Sequence, residues 1–159
     1  MKKEVQKRFT PKQIFCKIGT LFYFFPTMAP HVVIVCGSES DFPFAEQIKT
    51  PLEEKQYDVA LIAASAHKEA EKGLEVIKKY GGNEKTIFIA IAGRSNALSG
   101  FLAGNSQNIV IACPPLKSLE EYMIDIHSTL RMPSRTPVLT ILDPKNCALA
   151  VERILLSQK

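Results

Sequence analysis

Cysteine is sparse and scattered in this chain. Its four residues, Cys16, Cys36, Cys113 and Cys147, form no C-x-x-C and no Cys/His pairing at zinc spacing, so no zinc module is indicated. Cys36 and Cys113 lie in or beside apolar stretches, where a free cysteine behaves as a small hydrophobe. The plain reading is buried, reduced thiols in a cytoplasmic protein. No apolar run approaches the roughly 20 residues of a membrane-spanning helix. G-x-G-x-x-G and Walker A loops are missing too, which argues against NAD and ATP. An excess of positive charge is missing from the body of the chain. The formal net charge is +4, but residues 1–27 hold six Lys/Arg against Glu4 alone, leaving 14 basic and 15 acidic side chains elsewhere. A nucleic-acid-binding domain carries its basic footprint on the folded part, so that reading loses. What is present is ordinary: 159 residues, 46% apolar and 23% charged, the size and balance of one globular domain rather than a disordered or collagen-like chain.

Residues 1–27 differ from the rest. A basic start leads to a short apolar run, Ile18 to Phe25, rich in aromatics and closed by Pro26. The outline is that of a secretory segment, but the run is short and aromatic for one. The preferred reading is an N-terminal extension outside the fold, with Met28 as the start and 28–159 as the domain.

From His31 onward, short β-branched runs alternate with amphipathic stretches. Strands are predicted at 31–36, 57–63, 86–91, 108–113 and 137–142, and helices at 41–55, 68–80, 95–103, 118–130 and 146–156. Phe44, Ile48 and Leu52 recur every fourth residue, as one helix face requires; Pro51 within that stretch threatens a kink. Leu74 and Ile77 are expected to face inward from the second helix. Gly81-Gly82 ends it. No internal repeat, low-complexity segment or linker follows residue 30. Near-continuous apolar strands alternating with helices predict a parallel sheet covered on both faces. The expected fold is α/β, a three-layer αβα sandwich on a five-stranded parallel sheet with flavodoxin-like strand order.

In such sheets ligands bind beyond the carboxyl ends of the strands, where the strand order switches. Three loops lie there. After the first strand comes Gly37-Ser38-Glu39-Ser40-Asp41: a glycine, a hydroxyl and a helix start suit a phosphate. Asp41 can instead accept from ribose hydroxyls, or Ser40 or Asp41 can simply cap the helix. After the second comes Ala64-Ser65-Ala66-His67-Lys68. An imidazole, with an ordinary pKa near 6.5, suits proton transfer at neutral pH, and Lys68 attracts an anion; a helix-capping histidine is the bland alternative. After the third comes Ala92-Gly93-Arg94-Ser95-Asn96-Ala97-Leu98-Ser99-Gly100, dense in donors and small residues, or else an ordinary helix N-terminus. Together the three favour a site for a small phosphorylated ligand.

These loops, with Ala112-Cys-Pro-Pro115 and Ser128-Thr-Leu-Arg-Met-Pro-Ser134, resemble the 5-aminoimidazole ribonucleotide (AIR) carboxylases of purine biosynthesis. The resemblance is to the class II branch, which uses CO₂ directly. Class I mutases carry Arg after Ser-Ala-His and a second histidine in a glycine-rich third loop. Here Lys68 and the histidine-free Gly93-Arg-Ser-Asn96 match class II. The resemblance implies a carbon–carbon lyase that interconverts AIR plus CO₂ and 4-carboxy-AIR (CAIR) with no ATP, biotin, metal or other cofactor. It implies His67 as the proton carrier and ribotide contacts from Ser38, Asp41, Ser65, Lys68, Gly93 and Ser95. Lys68 fits best beside the new carboxylate. A homo-octamer is also implied, with sites near subunit contacts to which Pro114-Pro115 and Arg131 are candidates to contribute. The leader has no counterpart in the family. One position departs: Met-Pro-Ser is usually followed by Gly, where this chain has Arg135. If that glycine adopts positive φ, Arg135 strains the loop. The alternatives are a mutase acting on N5-carboxy-AIR and a ribotide-binding module without catalysis. A flavodoxin or receiver-type role fits less well, since no flavin-phosphate pattern and no acidic pair follow the first strand.

Overall fold

The structure, a computed structural model, describes residues 14–18, 21–25, 32–115 and 118–158. Met28 and His31, the expected starts of the domain and of its first strand, lie outside them. Within the N-terminal segment, β1 (Ile14–Ile18) and β2 (Leu21–Phe25) pair antiparallel in a two-stranded sheet of their own.

The main sheet contains β3 (Val32–Cys36), β4 (Val59–Ala63), β5 (Ile87–Ile91), β6 (Ile109–Ala112) and β7 (Leu139–Thr140). Its order is β4-β3-β5-β6-β7 and every pairing is parallel, the doubly wound arrangement expected. Five helices complete it: α1 (Phe42–Glu54), α2 (Ala70–Tyr80), α3 (Ala97–Asn105), α4 (Leu119–Leu130) and α5 (Pro144–Ser157). Side chains alternate across a strand, and the two faces read off β3 and β5. Val32, Ile34, Cys36, Ile87, Ile89 and Ile91 pack with α1 and α5, while Val33, Val35, Phe88 and Ala90 pack with α2 and α3. Among the described residues no helix is long and apolar enough to cross a membrane.

Local chemistry sets the boundaries. Helix α1 runs through Pro51 to Glu54. It closes in a Schellman motif: Tyr57 N–H donates to the Leu52 carbonyl and Gln56 N–H to that of Glu53, with Gln56 at φ 65°. Ser118 caps α4 and Asp143 caps α5. Pro144 occupies the first turn of α5, where its missing N–H costs nothing, so the helix begins two residues before the predicted Asn146. The predicted strand 137–142 shrinks to two residues. Leu74 corrects another expectation, being 46% exposed. The inward stripe of α2 is Gly73, Val76 and Ile77, spaced i, i+3, i+4, and Leu74 sits one residue off it.

Arg135 stands at φ 65°, the left-handed conformation that glycine adopts freely. An L-residue there costs roughly 1–2 kcal/mol, part of which glycine would give back through its more flexible unfolded chain. Arg135→Gly is therefore expected to stabilise the fold by about 0.5–1 kcal/mol. A higher urea midpoint at unchanged m-value is the reading to look for; a lower one means the Arg135 side chain makes contacts worth more than the strain.

Candidate active site

The loops after β3, β4 and β5 converge at the switch in strand order. They enclose a cleft of about 440 Å³ lined by Gly37, Ser38, Ser40, Asp41, Ser65, Ala66, His67, Lys68, Ala92, Gly93, Arg94, Ser95 and Leu98. All seven residues expected at the site are on that wall: His67, Ser38, Asp41, Ser65, Lys68, Gly93 and Ser95. A larger cavity, about 620 Å³, opens between α1 and α5 around Pro51 and Leu149. It belongs to the helical layer, and the Lys55–Glu152 ion pair borders it.

The first loop is held by its own backbone. Gly37 N–H donates to the Ile91 carbonyl at 2.8 Å. A Cβ on Gly37 would lie 3.3 Å from that of Ala92, so glycine lets the first and third loops meet. Ser38 Oγ accepts from Ser40 N–H at 3.3 Å and from Ser40 Oγ–H at 3.1 Å. A single 3₁₀ turn, Glu39–Asp41, then carries Asp41 to the start of α1 with its side chain half-buried.

In the second loop, Ser65 N–H donates to Glu69 Oε2 and Ser65 Oγ accepts from Lys68 N–H, both at 3.3 Å. This turn leaves His67 and Lys68 exposed at the cleft. A ring there reaches a bound ligand without first giving up a buried position. In the third loop, Arg94 has φ 55° and Asn96 caps α3 by accepting from Ser99 N–H at 3.3 Å.

Cys36 and Cys147 are poorly suited to act as nucleophiles. Cys36, buried beneath the first loop, has its thiol pushed up to about 12 by burial and then by the Asp41 charge. The Cys147 thiol is pushed up by its hydrogen bond with Cys113 and then by burial. Cys36, Cys113 and Cys147 are free and buried, as expected of reduced thiols, and a thiol held protonated is a poor nucleophile.

The family model described as AIR carboxylase matches residues 31–159. The chain belongs to the AIR carboxylase family. Phosphoribosylaminoimidazole carboxylase of Treponema denticola is 44% identical over 128 residues, covering 80% of this chain and 80% of the relative. The protein of the same description from Archaeoglobus fulgidus is 43% identical over 122 residues, 77% of this chain and 67% of its own. A crystal structure of Treponema denticola PurE superposes with a TM-score of 0.75 at 42% identity, covering 80% of this chain and 81% of that one.

Within this AIR carboxylase fold the structure adds residues that the sequence does not single out for the site. Ser40, Arg94 and Leu98 line the cleft. Asp125, Ser128 and Thr129 of α4 hold the third loop from behind. Ser128 and Thr129 belong to the Ser128–Ser134 motif, but nothing in that motif marks them as partners of residues some thirty positions earlier. Pro114 and Pro115 border a separate small void beside Gly93, and Arg131 is exposed just after α4.

Proposed function

We propose that the cleft catalyses the reversible carboxylation of AIR by CO₂ to give CAIR in purine biosynthesis, with no ATP, biotin or metal. The observation that carries this reading is one cleft, at the switch point of an AIR carboxylase fold, that gathers an imidazole, a lysine, an aspartate and two short hydroxyl-bearing loops. The aminoimidazole ring is an enamine-like nucleophile at its ring carbon. Its electron pair attacks CO₂, the carbon–carbon bond forms, and the new carboxylate takes up the charge. The tetrahedral ring carbon then loses its proton to neutral His67, which restores aromaticity; the reverse sequence decarboxylates CAIR. Holding the ribotide and CO₂ together supplies much of the acceleration, and the proton relay adds about 10²–10⁴-fold.

Binding falls to Ser38, Asp41, Ser65, Gly93 and Ser95, with Lys68 drawing an anionic group of the ribotide, the carboxylate on the charge argument. Asp41, an acceptor at the head of α1, suits ribose hydroxyls. Asp41→Ala is expected to weaken AIR binding about tenfold, the worth of a charge-assisted hydrogen bond; unchanged affinity by calorimetry removes Asp41 from the site. Lys68 and the lack of a histidine in the third loop favour CO₂ itself as co-substrate.

The catalytic domain is read as 28–159, with residues 1–27 outside it. The family match to 31–159 and the separate β1–β2 sheet support that division. The protein is read as a cytoplasmic homo-octamer. Support for self-association comes from α4, where Leu119, Met123, Ile124 and Leu130 are each more than half exposed, an apolar surface suited to burial against another copy.

The deciding experiment follows CAIR decarboxylation by ultraviolet absorbance, with AIR and bicarbonate but no ATP in the forward direction. Turnover both ways supports the proposal. Conversion of N5-carboxy-AIR alone makes the protein a mutase, and AIR binding without product under high CO₂ makes it a binding module.

A further inference from the structure

The third loop of the cleft is fastened to α4 by its backbone. Arg94 N–H donates to Asp125 Oδ2 at 2.9 Å, and the single Ser128 hydroxyl proton is shared between the Asp125 carbonyl of its own helix at 2.7 Å and the Arg94 carbonyl at 3.1 Å. Asn96 N–H donates to Ser128 Oγ at 2.9 Å, and Asn96 Nδ2 to Thr129 Oγ1 at 3.0 Å in a buried setting. Asp125, Ser128 and Thr129 are spaced i, i+3, i+4, so one face of α4 makes every one of these contacts. Arg94 itself stands at φ 55°, a left-handed conformation that is disfavoured for a non-glycine residue and recurs at ligand clamps.

We propose that Asp125 is a positioning residue for the reaction in this cleft. Its carboxylate holds Arg94 in the left-handed conformation and thereby sets the backbone of Gly93 to Ser95 against the ribotide. The proposal rests on the ribotide reading of the cleft. Asp125 is singled out from its helix neighbours for two reasons. Its bond is the charge-assisted one of the set, and it grips the residue whose conformation is disfavoured, whereas Ser128 and Thr129 also secure the ordinary helix cap that follows. Behind this contact is a void of about 20 Å³ bordered by Gly93, Arg94, Pro115, Tyr122 and Asp125, room for one water. Water there can satisfy the Arg94 N–H once the carboxylate is gone, but it cannot tether the loop to α4.

The test uses Asp125→Ala and Asp125→Asn in the full chain, with AIR as ligand and CAIR decarboxylation as assay. The alanine variant is expected to raise KM for the ribotide about tenfold with kcat changed less than about threefold, as loss of binding without loss of the proton carrier requires. Asparagine keeps an acceptor oxygen and should restore KM to within about threefold of the parent. Glycine adopts positive φ without strain. In an Arg94→Gly background, therefore, the Asp125→Ala effect should shrink to about threefold or less. An unchanged KM in Asp125→Ala, or the same tenfold rise in the glycine background, overturns the proposal. Amide hydrogen exchange supplies a readout without ligand: the Arg94 amide should exchange about tenfold faster or more in Asp125→Ala while β5 amides hold. Unchanged Arg94 protection sinks the clamp even if AIR binds. A parent protein that binds no AIR sinks the ribotide reading instead, and the exchange result still decides the clamp.

Discussion

Replacing His67 with asparagine is expected to lower turnover by about 10²-fold or more, the usual worth of a positioned general acid–base, while AIR still binds. Among the ionisable side chains on the cleft wall, Lys68 and Arg94 are of the cationic type, and Asp41 is half-buried at the head of α1. Only the imidazole both accepts and returns a proton near neutral pH. Asparagine keeps a polar side chain of similar reach and removes that capacity. The ribotide contacts assigned to the other loops are untouched, so affinity should stay within about threefold, and the loss should fall on kcat and kcat/KM together. Absorbance assays beside calorimetry on the same variant separate the two quantities. Near-normal turnover would take the proton step away from His67, and a comparable loss of affinity would make it a binding residue.

The largest stability effect is expected at Phe88. This side chain is 0% exposed at the centre of the sheet, opposite Val33 on one neighbour and Val110 on the other. Leu98 and Leu102 of α3 belong to the same core cluster. Truncating a buried phenylalanine to alanine removes its transfer free energy and leaves a cavity, together about 3–5 kcal/mol. Against a total stability of roughly 5–15 kcal/mol, that is enough to leave the variant partly unfolded. Urea unfolding should show a much lower midpoint at the same m-value. A loss under about 1.5 kcal/mol would mean that the surrounding helices collapse into the space.

The architecture was legible because short apolar strands alternating with helices must form a parallel sheet covered on both faces, and the flavodoxin-like order expected of it is the one found. The site was legible for a related reason: in a doubly wound sheet, position along the chain relative to a strand end fixes position in space. His67 and Ser65 could thus be placed together with Ser38 and Gly93. The sequence was less informative where tertiary contacts decide. Leu74 scores as apolar wherever it points, and only the phase of α2 turns it outward. The fifth strand was cut to two residues on one side of an early start to α5. The grip of Asp125 on Arg94 joins residues from different elements and has no local spacing to betray it. Arg135 lies between these cases. Its departure from the family glycine was visible in the chain, and the positive φ gives that departure its physical meaning.

Strands β3 and β5 are paired along both of their edges and are wholly buried. To break open either one is to dissolve the whole sheet, so both should share the lifetime of the folded molecule. Two of the three loops that shape the cleft spring directly from these strands. Local opening at the cleft is therefore expected at the loop tips, while the roots of those two loops stay put for as long as the sheet does.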